Sequence, residues 1–264
     1  MFRLASITIY PIKSLDGLLV AEVDVLSSGA LAFDRRYAIR DAGGLWVNGK
    51  AEPAVHLLRA TFTEDVSRVE LLSARDGRRA EFALDGDRGP LAAWLSDFFE
   101  KPVIVVDDSR AGFPDDTESP GPTVVSRETV VEVARWFAPL SADDIRLRFR
   151  ANLEIEGDSP FCEDRLFADA GHVVRFTIGA VEFEGVNPCQ RCIVPTRDAR
   201  TGAMTHAFSR TFATRRAETL PAWTDRDRFD HFYRLAVNTR LSPRASGGII
   251  RVGDEVQIVE TVGA

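Results

Sequence analysis

The stretch that decides how this chain is interpreted is Asn187-Pro188-Cys189-Gln190-Arg191-Cys192-Ile193-Val194-Pro195-Thr196-Arg197-Asp198. It holds two of the three cysteines among 264 residues. A pair spaced C-x-x-C can place both sulfurs on one side of a tight turn, where a thiolate can bind a soft metal or attack a disulfide. The polar Gln190 and Arg191 between the cysteines favour a loop open to a ligand over two buried, inert thiols.

Two other uses of the cysteine pair are less favoured. A structural zinc site needs a second Cys/His pair, and the remaining candidates are scattered without such spacing: Cys162, His56, His172, His206 and His231. A thioredoxin-like dithiol precedes a long helix, whereas Pro195 follows this pair closely. The pattern therefore predicts a metal-binding or catalytic thiolate.

Composition excludes several classes of partner. The chain carries 33 basic and 40 acidic side chains, a net charge of −7, and no long block of like charge. We therefore expect no nucleic-acid partner, and an anionic ligand must be held by local basic clusters. The N-terminus shows no secretion signal, and no apolar run approaches the roughly 20 residues of a membrane span. These features predict a cytoplasmic protein without a membrane partner.

The first half of the chain is mostly strand-like. Alternating apolar segments run from residue 3 to about 110, interrupted by one amphipathic helical stretch, Leu91 to Phe99. Residues 108–122 are rich in Asp, Pro, Gly and Ser and are typical of a linker or surface loop. We place the domain boundary there, which predicts an N-terminal domain at residues 1–115 and a second domain at 116–264.

The second half mixes helices and strands. Ser126 is predicted to cap a helix over residues 128–137. Residues 146–155 are predicted to form a strand, and residues 247–259 two strands joined at a tight turn. The strand at 146–155 would put three arginines on one face and suit a polyanion, although Asp143, Asp144 and Glu154 could equally pair with Arg146, Arg148 and Arg150.

Two shorter basic groups precede the linker. Lys13 and Ser14 end the first predicted strand, where they could hold a phosphate or could simply form a solvated turn. Arg35 and Arg36 follow Asp34, and in an extended chain they point to opposite faces, so at most one faces a given pocket.

Taken together, these segments resemble one family, the MOSC proteins, in their form with an N-terminal β-barrel domain. The motifs that match, in family order, are Tyr10-Pro11-Ile12-Lys13-Ser14, Asp34-Arg35-Arg36, Phe149-Arg150-Ala151-Asn152, Glu163-Asp164, Cys189-Gln190-Arg191-Cys192 with Asp198 and Thr201-Gly202, and Val252-Gly253-Asp254. They span nearly the whole chain. The resemblance implies an α+β, mainly β fold, with a β-rich N-terminal domain followed by a MOSC-type β-barrel with peripheral helices.

The resemblance also implies a molybdenum cofactor site, in which molybdopterin and one protein thiolate bind the metal. Cys192 matches the metal-ligating, catalytic cysteine, and a soft sulfur suits a metal that already has sulfur ligands. The positions implied to contact the cofactor are Lys13, Ser14, Arg35, Ser126, Arg150, Asn152 and Arg191.

The activity implied is that of an oxidoreductase of the N-reductase type, which removes oxygen from N-hydroxylated or N-oxide-type small molecules. Characterised relatives include the mitochondrial amidoxime-reducing component and bacterial reductases of N-hydroxylated compounds. The three cysteines leave no iron-sulfur module, so we expect a separate electron-donor protein. Two alternatives stay open, a cofactor carrier and a sulfurtransferase with a persulfide on Cys192, because both also need an accessible thiolate.

Overall fold

The structure, a computed structural model, describes residues 2–264 and is built mainly from β-strands. The strands are β1 Phe2–Ile9, β2 Leu18–Val20, β3 Glu22–Val25, β4 Tyr37–Asp41, β5 Leu58–Phe62, β6 Arg68–Ser73, β7 Arg79–Ala83, β8 Val103–Asp107, β9 Val124–Ser126, β10 Leu153–Glu156, β11 His172–Ile178, β12 Val181–Gln190, β13 Arg234–Leu241, β14 Gly248–Arg251 and β15 Glu255–Gly263. The α-helices are α1 Gly89–Phe99, α2 Arg127–Trp136, α3 Ala142–Phe149 and α4 Phe208–Glu218. The predicted mainly β class with peripheral helices is confirmed.

A closed ring of seven strands organises the molecule. Its order is β10-β9-β13-β12-β11-β15-β1, and pairing of β1 with β10 closes it, while β2 extends outward from β1. Side chains of a strand alternate between faces, so Val174, Phe176 and Ile178 of β11 are buried while Arg175 and Thr177 between them are partly exposed. The alternating apolar pattern therefore becomes the barrel interior.

Three smaller sheets surround the ring. They pair β4 with β8, β5 with β6 and β7, and β3 with β14. The division of the chain at residues 115 and 116 stays a prediction. The first strand, from the N-terminal half, forms part of the seven-stranded ring, and one continuous apolar core runs from Ile12 and Leu71 to Phe183 and Val237.

The helices of the second half enclose a separate core. Val133 of α2, Ile145 and Phe149 of α3, and Phe208 and Phe212 of α4 pack together there. Helix α3 of this cluster also lies against the short turn Val194–Thr196 that follows the cysteine pair.

Two of the helices were expected from the sequence. The helix expected at 91–99 is α1, and the helix expected at 128–137 is α2. The Ser126 hydroxyl accepts a hydrogen bond from the Thr129 amide at 3.1 Å, so Ser126 is the N-cap of α2 as predicted.

The strand predicted at residues 146–155 is wrong. Helix α3 runs to Phe149, Arg150 ends it with a φ of 54°, and β10 begins only at Leu153. Ser141 and Asp144 form a reciprocal capping box, a helix start signal that outweighs the short apolar alternation. The three arginines therefore do not share one face.

The two C-terminal strands expected at residues 247–259 are present and are joined by a turn at Gly253-Asp254, but they do not pair with each other. β14 pairs with β3, whereas β15 pairs with β11 and β1. Of the helices formed by residues 2–264, none combines the length and apolar content needed to cross a lipid bilayer.

Candidate functional site

A large cavity lies where the first strand ends, the linker passes and the cysteine loop begins. Its volume is about 830 Å³. Ten lysines and arginines line it against four aspartates, although the chain as a whole is acidic. A concentrated positive potential in an acidic protein favours an anionic ligand.

The cysteine loop leaves the end of β12 and enters a short 3-10 helix, Val194–Thr196. Cys189 is half-buried and Cys192 exposed, and both line the cavity. Cys162 is buried away from it, and burial raises the pKa of its thiol to about 11. Within residues 2–264 no three His, Cys, Asp or Glu side chains are grouped as a metal site. A metal at Cys192 would therefore need other ligands from a bound molecule.

Arg191 contacts the first cysteine of the pair. Its Nη1 donates to Cys189 Sγ at 3.2 Å, and its Nη2 donates to the Phe149 carbonyl oxygen. The buried Nε of Arg191 has no hydrogen-bond partner. The structure therefore gives Arg191 a direct contact with Cys189 and with the end of α3.

The predicted phosphate-binding residues of the N-terminal half also line the cavity. Lys13 Nζ lies 2.9 Å from Asp115 Oδ1 and donates to the Phe113 carbonyl oxygen at 2.8 Å. Ser14 is adjacent, with a φ of 76°. Arg35 is paired with Asp34, whose Oδ1 accepts from the Tyr10 amide at 2.8 Å and so ties this turn to the end of β1. Lys13, Ser14 and Arg35 therefore line one cavity, as the sequence predicted. The sequence did not indicate that Lys13 pairs with Asp115 and Arg35 with Asp34.

Arg150 and Asn152 complete that wall. The Arg150 guanidinium lies over the Tyr10 ring, 4.0 Å from its centroid, and no residue from 2 to 264 accepts a hydrogen bond from it. Burial lowers the pKa of Arg150. Asn152 is buried, donates to the Thr8 carbonyl at 3.1 Å, and its Oδ1 lies 3.5 Å from Arg35 Nη1. Arg150 therefore presents an unpaired cation to the cavity.

Ser126 is the predicted site residue that the structure does not bring to the cavity. It is fully buried, its hydroxyl caps α2, and it lies 2.8 Å from the Thr129 hydroxyl. The expectation that Ser126 contacts a cofactor finds no support in this geometry.

Several cavity residues were missed by sequence reasoning. The linker is not simply a surface loop, because residues 114–117 and 119–121 form part of the cavity wall. Arg59 and Arg197 also line it. Arg148, expected from the sequence on the arginine face of a strand, lines the cavity from α3 instead, with only 3% of its surface exposed. Arg197 immediately precedes the motif residue Asp198, but no periodicity or spacing marks these side chains as neighbours.

The sequence is similar to known proteins. It matches two family models, described as the MOSC N-terminal beta barrel domain over residues 1–140 and the MOSC domain over residues 123–257. It is similar to the molybdenum cofactor sulfurases of Homo sapiens, 23% identical over 251 residues, and of Danio rerio, 25% identical over 248 residues. These alignments cover 76% of this chain but only 27% and 29% of the relatives, so the chain spans less than a third of their length. The crystal structure of YiiM from Geobacillus stearothermophilus matches over 53% of this chain and 54% of that chain, with 16% identity and a TM-score of 0.32.

Proposed function

The chain belongs to the MOSC family, and on that premise we propose that its cavity binds a molybdenum cofactor through the Cys192 thiolate and uses it to reduce N-hydroxylated or N-oxide-type small molecules. The observation that carries the proposal is an exposed thiol in a cavity with ten cationic side chains, several of which lack a carboxylate partner. That combination suits a ligand with a soft metal at one end and a phosphate at the other.

The residues present fit such a group. Buried polar atoms without a hydrogen-bond partner are rare in folded proteins, and several of those in residues 2–264 lie on the cavity wall, among them Arg59 Nε, Ser119 Oγ and Arg191 Nε. The free guanidinium of Arg150 adds an unpaired charge. A large anionic ligand would supply acceptors to this wall.

In this proposal the chain's residues act as follows. Cys192 supplies one thiolate to the metal, and Lys13, Ser14, Arg35 and Arg150 hold the phosphate end by charge and hydrogen bonds. When bound, the cofactor supplies a metal that can change its oxidation state by two electrons. The protein contributes the position of the substrate, a positive local potential and partial exclusion of water.

Asn152 has a supporting part. Its amide is held by the Thr8 carbonyl, and its Oδ1 faces Arg35 and the Thr123 amide. It therefore links β1 to the residues that immediately precede β9 and β10, and it also contacts Arg35.

Metal analysis tests the ligand assignment. Protein from a host that makes the cofactor should carry close to one molybdenum per chain, and Cys192→Ser should lose most of it. Cys189→Ser is the matched control, because it removes the neighbouring cavity thiol, and it should keep its metal. Loss of metal in Cys189→Ser with retention in Cys192→Ser would overturn the assignment, and wild type without molybdenum would overturn the proposal.

Two measurements separate the enzyme from its rivals. Reduction of benzamidoxime by the wild-type protein with reduced methyl viologen supports the reductase, whereas bound molybdenum without turnover supports a cofactor carrier. The name of the sulfurase relatives favours a second candidate, a persulfide sulfurtransferase. In that case metal-free protein exposed to a persulfide donor should gain one sulfur atom on Cys192, detected by peptide mass spectrometry.

A further inference from the structure

Two arginines beside the cysteine loop have no role in the cofactor binding proposed above. Arg148 lies in the last turn of α3 and Arg197 five residues after Cys192, and both line the cavity. Arg148 is 3% exposed, and its Nη1 donates to the Pro195 carbonyl at 3.0 Å. This bond anchors the buried guanidinium to the turn that follows Cys192.

The positive charge of this pair is only partly balanced. The carboxylate oxygen near Arg148 is Asp198 Oδ2, 3.8 Å from Nη2 and beyond hydrogen-bond reach, while Oδ1 of the same residue accepts from the Thr201 amide at 2.8 Å. Arg197 donates to the Gly202 carbonyl at 3.2 Å, and its buried Nε has no acceptor. No carboxylate in the described part of the chain lies within 4.0 Å of Arg197. Arg148 thus has one carboxylate beyond hydrogen-bond reach and Arg197 has none nearby, and donors without acceptors are unfavourable when buried.

This pair belongs to a different part of the wall from the phosphate-binding residues. Arg150, two residues after Arg148, ends α3 with a positive φ and turns to the Tyr10 ring. Arg148 instead lies over the Phe208 ring, 5.2 Å from its centroid. A phosphate held by the residues around Tyr10 would therefore leave the Arg148 and Arg197 guanidiniums free for another anion.

We propose that Arg148 and Arg197 form a substrate subsite, and that the preferred substrate is an N-hydroxylated compound that also carries a carboxylate. The inference rests on the proposed function, because it assigns the substrate of that same cavity. A planar carboxylate matches the donor geometry of a guanidinium, which favours it over an uncharged substituent. Binding there holds the nitrogen-oxygen bond beside the Cys192 loop.

The reaction balances without a contribution from the carboxylate. The external donor supplies two electrons and solvent supplies two protons, the N–O bond breaks, and oxygen leaves as water. The carboxylate and both arginines keep their charges throughout, so the subsite acts on binding and orientation alone.

The test compares 4-carboxybenzamidoxime with benzamidoxime. Wild type should favour the carboxylate compound in kcat/KM, and Arg197→Gln should reduce that ratio by about tenfold or more, the loss expected for a hydrogen bond between charged groups. Arg148→Lys, which keeps the charge but loses the fork, should reduce it less. Arg210→Gln is the matched control, an exposed arginine outside the cavity, and should leave the ratio unchanged.

A binding measurement on metal-free protein makes the result independent of turnover. 4-Carboxybenzamidoxime should raise the Tm of wild type and of Arg210→Gln more than benzamidoxime does, and this difference should disappear in Arg197→Gln. Equal effects of the two compounds, or a ratio that Arg197→Gln does not change, would overturn the subsite while leaving a molybdenum reductase intact. If the protein lacks molybdenum but still shows the Tm difference, the proposed function would be refuted and the anion subsite would be supported.

Discussion

Replacement of Asp115 by asparagine should strengthen the binding of an inorganic anion in the cavity. The Asp115 carboxylate lies 2.9 Å from Lys13 Nζ, so in the proposed site it would compete with a phosphate oxygen for this cation. Desolvation in the cavity opposes ionisation of Asp115, but Lys13 and then Arg35 and Lys50 hold its pKa below the ordinary value of 3.8. Asp115 is therefore ionised at every pH above about 5 and competes with an incoming anion throughout that range.

The expected change in anion affinity follows from the solvent exposure of the Lys13–Asp115 pair. The Asp115 side chain is 67% exposed and that of Lys13 only 12%, so water screens the pair strongly from one side. Ion pairs of this kind contribute about 1 kcal/mol or less. Removing the competing charge should then lower the Kd for the anion by up to about fivefold.

Calorimetric titration with pyrophosphate at low ionic strength measures this change directly. Glu118→Gln is the matched control, because Glu118 is an exposed acid of the same linker that does not line the cavity. The gain in Asp115→Asn should shrink as salt is added, since salt screens the exposed charge. An unchanged or weaker affinity in Asp115→Asn, or an equal gain in Glu118→Gln, would refute the reasoning.

Two further predictions concern stability. Burial raises the pKa of Glu163 from 4.5 to about 7. As the pH rises, Glu163 therefore ionises at a lower pH in the unfolded chain than in the folded protein. The free energy of unfolding of wild type should then fall by up to about 3 kcal/mol between pH 4.5 and 7. Glu163→Gln keeps an acceptor for the Thr129 hydroxyl but does not titrate. In urea unfolding, the stability of the variant minus that of wild type should therefore be higher at pH 8 than at pH 4.5. A difference that does not change with pH would contradict this prediction. Gly185→Ala should lose more than about 3 kcal/mol, because its Cβ would overlap the Leu166 carbonyl oxygen, whereas Gly263→Ala, with open space around it, should unfold near the wild-type denaturant midpoint.

Local signals in the sequence predicted some elements well. Ser126 as an N-cap and the apolar face of residues 91–99 gave helices close to their observed bounds, because capping and helical periodicity depend on neighbouring residues. Around residue 148 the same kind of argument failed. Leucine, phenylalanine and arginine alternate there as in a strand, but the capping box at Ser141 starts a helix that continues to Phe149.

The candidate site was predictable in part. Lys13, Arg35, Arg150 and Cys192 were selected as members of ordered motifs, and the fold brings them to one cavity. Ser126 was selected in the same way and caps a helix instead. A motif records which residues occur in order along the chain, but it does not record which way each side chain points.

The sequence by itself determined the family, the mainly β class and the cysteine pair that lines the cavity, because these depend on local patterns and on ordered motifs. Only the tertiary structure decided that the linker forms part of the cavity wall, that Asp115 faces Lys13, and that Arg191 contacts Cys189. Most of those contacts join residues that are far apart in the sequence, and the contact between Arg191 and Cys189 depends on how the loop turns. These arrangements follow from the pairing of β1 with β10 and from the packing of α3 against the cysteine loop. Such closure is a property of the whole chain and leaves no local signal.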